Sequence, residues 1–389
     1  MSPASGIASN APPEFALLLH LLSPREKAEG ARAIINSGVD WGRLVRLAAH
    51  HKVLGQLYAA LGGELRGHIP EEALKHLEVQ VQGNARRNLL LTAKLLKLLA
   101  LLDAEGIRAV PFKGPLLALS AYGDSAMRQF SDLDLLIRPA DVPRARALLI
   151  GQGYAPQFSL DERQEARYIK RRNEHLFTNE GEGVHVDLHW SLSPRWLHAD
   201  GGGEDIWARV GTTTVAGRSV PTLDPHDLLL FLCVHGSKHC WSQLGMACDV
   251  ATLLRATPPD WEVLFTRARA QGSTRMLRLG LYMASTLFGV ELPQEVAEGI
   301  NTDLRVKSLA AESYAKLLRE PEEPWGRFEE LSFDAKVIEG LRSKALFYLD
   351  MLMTPTPLEW EYLTLPERLS FLYYLVRPFR LAIKHGGRT

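Results

Sequence analysis

The sequence predicts an α+β protein, mostly helical, with a small mixed β-sheet core flanked by N- and C-terminal helical regions. Three observations carry that expectation. Apolar residues recur at helical spacing from Pro13 to Ala104, and again from Pro225 nearly to the end of the chain. Between these regions, short β-branched and alternating runs replace the helical period. The length, 389 residues, allows a substantial core and two or three domains.

Residues 1–12 are rich in Ser, Ala and Pro and read as a disordered tail. The N-terminal helical region, 13–104, begins with PEFALLLHLL, REKAEGARAIINSG and DWGRLVRLAAHHKVLGQLYAAL. Gly38 closes the second of these and Asp40 caps the third. Residues 71–104 form a leucine-dense helical run that Gly106 stops. Its length predicts a break near Gly83. The α/β core, 105–224, starts with a strand over IRAVPF (107–112), the turn Lys113-Gly114-Pro115 and a helical LLALSAYG. SDLDLLI (131–137) is a second strand, followed by a helix that Pro139 opens and Gly151 or Gly153 closes. Residues 161–178 fit a helix or an edge hairpin. GVHVDLHWSL (183–192) alternates strictly, Gly201-Gly202-Gly203 reads as a loop, and GRSVPTL (217–223) as one more strand. The C-terminal helical domain, 225–389, is interrupted at Pro258-Pro259, Pro293, Pro321 to Pro324 and the MTPTP turn at 353–357. Its last stretch, RLSFLYYLVRPFRLAIKHGGRT, mixes aromatics with Arg368, Arg377, Arg380 and Lys384. Pro378 breaks the amphipathic run, which favours packing on the helical domain over a membrane surface.

Composition excludes several classes of function. The apolar fraction of 46% and charged fraction of 23% are those of an ordinary globular protein. Lys+Arg and Asp+Glu both number 45, so no global field draws the chain to nucleic acid or anionic membrane. The three cysteines, Cys233, Cys240 and Cys248, form no C-x-x-C and suggest a reducing compartment. The N-terminus lacks a basic leader region, and no apolar run approaches the roughly eighteen residues of a membrane span, so a cytoplasmic location is expected.

The chemistry centres on RQFSDLDLLIR (128–138). Residues two apart on a strand share a face, so Asp132 and Asp134 lie side by side. Two neighbouring carboxylates repel, and partial burial sharpens the repulsion, which a divalent metal relieves. Taken alone, such a pair is more commonly a turn or cap at Ser131-Asp132 with Asp134 at a strand edge. VHVDLHW then places His185, Asp187 and His189 on one face. Three carboxylates from two neighbouring strands suit two Mg²⁺ ions about 3.5–4 Å apart, the arrangement that clamps both ends of a phosphoryl displacement. Mg²⁺ takes few carboxylates and completes its shell with substrate phosphate oxygens. Lys113-Gly114 offers a cation and an open backbone to phosphate, and Arg128 a second cation at the same mouth. His189, His235, Lys238 and His239 complete the candidate binding set. His235 and His239, four apart and beside Cys240, also fit a zinc pair, but Gly236 follows His235, so H-E-x-x-H is absent. Neither a Walker A loop nor a G-x-G-x-x-G occurs.

FKGPLLALSAYGDSAMRQFSDLDLLI, VHVDLHW and HGSKHCWSQLGMACDVATLL, in that order, resemble the bacterial "uncharacterised nucleotidyltransferase" family of the DNA polymerase β-like superfamily. The resemblance spans roughly residues 40 to 255. It implies Mg²⁺-dependent transfer of a nucleoside monophosphate from an NTP, with ATP expected, to an acceptor, with release of pyrophosphate. It further implies that Asp132 and Asp134 bind metal, and that Asp187 completes the metal site and helps deprotonate the attacking hydroxyl. Most of the wider superfamily carries Gly-Ser or Gly-Gly in the first turn. This chain has Lys113-Gly114-Pro115, so Lys113 would take over the serine's contact to phosphate. A small-molecule or protein hydroxyl is the expected acceptor, and nucleic acid is less favoured because no long basic tract accompanies the site. The rivals are a catalytically degenerate NTP-binding scaffold and a metal-dependent phosphohydrolase.

Overall fold

The computed structural model describes residues 11–23, 28–197, 204–319 and 326–353, together with Leu372, Tyr373 and Arg377. The expected tail over 1–10, the triple-glycine loop, the Pro321–Pro324 break, the turn after Met353 and most of the aromatic-basic C-terminus lie outside the described residues.

Four short helices come first: α1 (Pro13–Leu22), α2 (Ala28–Asn36), α3 (Trp41–His50) and α4 (Leu54–Ala60). Asp40 caps α3, its carboxylate accepting from the Arg43 amide at 2.9 Å. The single helix expected over 40–61 is in fact two. It breaks at His51-Lys52-Val53, where Lys52 takes a left-handed φ of 58°. The cause is long-range. The His50 carbonyl accepts from Gln243 Nε2 at 3.0 Å and the His51 carbonyl from the Gly245 amide at 2.8 Å. These bonds replace those that a continued helix would make.

Helix α5 (Glu71–Ala104) runs unbroken through Gly83, contrary to expectation. Leu77 and Val81 bury in one core, while Leu91, Leu95, Leu98 and Leu102, at alternating steps of four and three, bury in another. Anchored at both ends, the helix tolerates an exposed mid-helix glycine whose cost is only about 1 kcal/mol. Gly106, at φ 68°, ends it as expected.

The sheet is built from β1 (Val110–Pro111), β2 (Asp132–Leu136), β3 (Ala155–Pro156), β4 (Glu174–Asn179) and β5 (Val184–His189), in the order β1-β2-β5-β4-β3. Helices α6 (Gly114–Ser120), α7 (Val142–Gly151) and α8 (Glu162–Arg171) lie between them in sequence. The β2–β5 pair is parallel and the others are antiparallel, so the sheet is mixed. Residues 161–178 hold both a helix and a strand. The strand expected over 107–112 shrinks to Val110–Pro111, and both two-residue edge strands end in proline. Short helix α9 (Glu204–Ala208) leads to a separate hairpin, β6 (Gly211–Val215) and β7 (Arg218–Thr222), of which only the second strand was expected.

Helices α10 (Pro225–Lys238), α11 (Leu244–Ala256), α12 (Trp261–Gln271), α13 (Thr274–Phe288), α14 (Gln294–Asn301), α15 (Leu304–Leu317), α16 (Arg327–Val337) and α17 (Leu341–Met353) follow. Leu17, Leu44 and Leu57 from the first helices share one core with Trp241, Leu277 and Phe333 from the last. The two helical regions, far apart in sequence, therefore pack together. Leu133, Leu135, Val184, Val186 and Leu188 face the second core with α5 and α7. By the two-residue period of a strand, the acids of β2 and β5 point the other way, toward the Phe112 and Phe231 side. Among the described residues no helix is long and apolar enough to cross a membrane.

Candidate active site

The parallel ladder places Asp134 directly opposite Asp187 and Asp132 opposite His185. Asp134 and Asp187 are therefore neighbours on one face, not merely residues of adjacent strands. Asp134 is buried, its side chain about 1% exposed. Lys113 Nζ lies 2.9 Å from its Oδ1 and His189 Nε2 lies 3.3 Å from the same oxygen. Burial opposes the charge on Asp134, but Lys113 and His189 outweigh it and hold the carboxyl well below the usual range. Among the described residues Asp187 makes no ion pair with a lysine or arginine, and His189 only partly offsets the effects that raise it. Burial, and next the negative charge of Asp134, push its pKa up to about 6.

His189 also faces outward along β4. Its Nδ1 is 3.3 Å from Glu174 Oε2, and Glu174 in turn pairs with Lys238 Nζ at 2.8 Å. Lys113, Asp134, His189, Glu174 and Lys238 thus form a continuous row of polar contacts across the face. Ligand atoms of Asp134, Asp187 and His189 all lie within 4.8 Å of one another. Two carboxylates and an imidazole suit a divalent cation, whose charge would offset both the burial of Asp187 and its repulsion by Asp134. Asp132, half-buried, stands outside that triad, one step toward the start of β2.

Local structure explains how the acids are held. Gly114 opens α6 at φ 50°, and a Cβ there would lie 3.3 Å from the Asp132 carbonyl, so the Lys113-Gly114 turn rests on the first acid's backbone. The approach to β2 is gripped by α5. Asn88 Nδ2 donates to the Ser125 and Arg128 carbonyls at 2.6 and 2.7 Å, and Asn84 Nδ2 to those of Ala126 and Arg128 at 3.2 Å each. At the far end of β5, Trp190 Nε1 donates to the Arg172 and Ile169 carbonyls at 2.7 and 3.0 Å.

A family model described as uncharacterised nucleotidyltransferase matches residues 37–289, well over half of the chain and all of this site. The chain belongs to the uncharacterised nucleotidyltransferase family. No curated protein matches it. A solved structure that does match, the solution structure of antibiotic-resistance factor ANT(2'')-Ia, is 15% identical, covering 59% of this chain and 98% of the other at a TM-score of 0.30. A likeness at that level says nothing about the chemistry of this chain.

In this nucleotidyltransferase the remaining expected site residues divide into two groups. Lys113, His235, Lys238 and His239 gather at the mouth. Burial first, then Lys113, hold His235 well below the usual histidine range, and burial with Lys238 brings His239 down to about 4. The two imidazoles stand 4.6 Å apart between ring centres, with His235 stacked on Phe231. Cys240 beside them is buried in a left-handed turn, and among the described residues the triad above is the group of three or more ligand side chains that could hold a metal ion. Arg128 is engaged by a carboxylate of the following helical region. Its Nε and Nη2 both donate to Asp249 at 2.8 Å, and the Tyr122 hydroxyl donates to the same carboxylate at 2.7 Å. His185 is engaged by Thr178 at 3.1 Å. Two participants escaped the sequence reading. Glu174 lies opposite His189 on β4, in a stretch whose period fits helix and strand alike. Asn88, fully buried in a leucine-rich helix, is the kind of polar residue that signals a positioning role.

Proposed function

We propose that this nucleotidyltransferase moves an NMP group from an NTP, with ATP the expected donor, to a hydroxyl of a small molecule or protein, using Mg²⁺ and releasing pyrophosphate. The observation that carries the reading is the in-register pair of Asp134 and Asp187, the latter with its pKa raised to about 6. Asp134 and Asp187, with His189 beside them and Asp132 one step away, are the residues that would hold the metal. When bound, Mg²⁺ neutralises the charge that develops on phosphate oxygens during in-line displacement.

The protein's own part is to orient and to move a proton. The acceptor oxygen attacks the α-phosphorus; that O–P bond forms as the bond to the pyrophosphate oxygen breaks. The hydroxyl proton passes to Asp187, a stronger base than an ordinary aspartate because burial and Asp134 disfavour its charge. Lys113 and Lys238, near one another beside His239, would supply positive charge to the leaving phosphates.

The test is pyrophosphate release in the Asp187→Asn and Asp132→Ala variants, with thermal unfolding as a control. Both should lose release while remaining folded, and wild-type release by Asp187→Asn would sink the assignment. Titrating the four NTPs with MgCl₂ identifies the donor. Phosphate release with no acceptor present would instead favour the hydrolase reading, and NTP binding without turnover the scaffold.

A further inference from the structure

Among the described residues, the charge inventory at the mouth leaves one cation over. Lys113 is paired to Asp134, Lys238 to Glu174 and Arg128 to Asp249, each at 2.8 to 2.9 Å. Lys52 stands within electrostatic range of the same groups: Asp132 and Asp249 attract it, Arg128 and Lys113 repel it, and His239 feels its charge. Yet among the described residues no carboxylate lies within ion-pair distance of Lys52.

Its position is built rather than accidental. The turn 50–55 is wedged between α11 and the approach to β2. On one side Gln243 and Gly245 hold the His50 and His51 carbonyls. On the other, the Leu54 amide donates to Gln129 Oε1 at 3.0 Å, and a Cβ on Gly55 would lie 2.7 Å from Met127 Cα. Lys52 itself keeps a left-handed backbone, which costs a lysine energy that a glycine would not spend. A Cβ on Gly245 would lie 3.1 Å from that of Lys52, so the small residue leaves room for the lysine.

We infer that Lys52, carried by the N-terminal helices, is a phosphate-binding residue of this site, lending its ammonium to the donor's triphosphate and to the pyrophosphate that leaves. This rests on the nucleotidyl-transfer reading above. It gives the N-terminal helices a share in substrate binding, with Lys52 the uncommitted charge that the triphosphate would claim.

The experiment is calorimetric titration of inorganic pyrophosphate, with MgCl₂, into wild type and the Lys52→Met, Lys52→Gly and Lys52→Arg variants, each with its thermal midpoint. We expect affinity about tenfold weaker for Met and Gly and within about threefold of wild type for Arg. The midpoint of Lys52→Gly should be equal to or above that of wild type, because glycine relieves the left-handed backbone. Loss of affinity without loss of stability in that variant is what a merely structural lysine could not produce. Wild-type affinity in both Met and Gly variants, or weakening in Met alone alongside a lowered midpoint, would overturn the assignment of Lys52 and leave the nucleotidyl-transfer reading standing. Failure of the wild type to bind pyrophosphate or any NTP would overturn both.

Discussion

Replacing Asp187 by Asn should make the metal-free protein more stable, although it removes the group proposed above to accept the proton. The folded pKa of about 6 lies above the ordinary aspartate value, so the group's contribution to stability is full below about pH 4 and is lost as pH rises through 6. At pH 7 to 8 in a chelator the Asn variant should therefore unfold later than wild type, by on the order of 1–2 kcal/mol. The gap should close near pH 4, and added Mg²⁺ should raise the wild-type midpoint but not that of the variant. Asp134 is different. It is buried against Lys113 and His189, so Asp134→Asn leaves a buried ammonium without its counter-charge and should cost about 3 kcal/mol or more. Lost activity in that variant would report the fold as much as the chemistry. Combining it with Lys113→Met should recover part of the cost, and a double-mutant cycle by urea unfolding measures the coupling, expected at about 1–3 kcal/mol.

Two helices test how local choices serve the site. Gly83 of α5 is exposed, and a Cβ there meets nothing within 4 Å, so Gly83→Ala should stabilise by about 0.5–1 kcal/mol in urea unfolding. Gly236 of α10 is the opposite case. A Cβ there would lie 2.7 Å from the ring of fully buried Trp241, which the left-handed Cys240-Trp241 pair turns back under the helix. Gly236→Ala should cost about 1–3 kcal/mol and disturb the neighbouring His235 and His239. These contrasts explain which parts of the molecule could be read in advance. The two acidic strands could, because a period of two and a D-x-D state which face the acids share. The long helix could in part: its helical run and its stop at Gly106 were legible, but not its passage through Gly83, where a break was expected. The break at Lys52 could not: it depends on Gln243 and Gly245, far along the chain, capturing two carbonyls. The pairing of Arg128 with Asp249 and the arrival of Glu174 beside His189 are likewise decided by tertiary contacts, which no local window contains.

Acid should destabilise the whole molecule before it protonates ordinary carboxylates. Burial, with His50 next, brings His51 down to about 3, and burial with Arg146 brings His175 down to about 4. Both are neutral when folded and charge at about 6.5 when unfolded, so their stability is full above 6.5 and is lost as pH falls toward 4 and 3. The opposite trend of Asp187 offsets part of this. A thermal midpoint that falls between pH 7 and 5, with a shallower fall in His51→Leu, is the expected result. The loss should be about 2 kcal/mol per histidine by pH 5. One architectural feature also bears on the acceptor. Each edge of the catalytic sheet is a two-residue strand finished by proline, Val110–Pro111 on one side and Ala155–Pro156 on the other. Such edges offer too few unpaired amides and carbonyls to template another strand. A protein acceptor therefore could not be recruited here by β-augmentation. It would have to present its hydroxyl from a loop or a helix, read by side chains around the mouth, and the same closure guards the sheet against edge-to-edge aggregation.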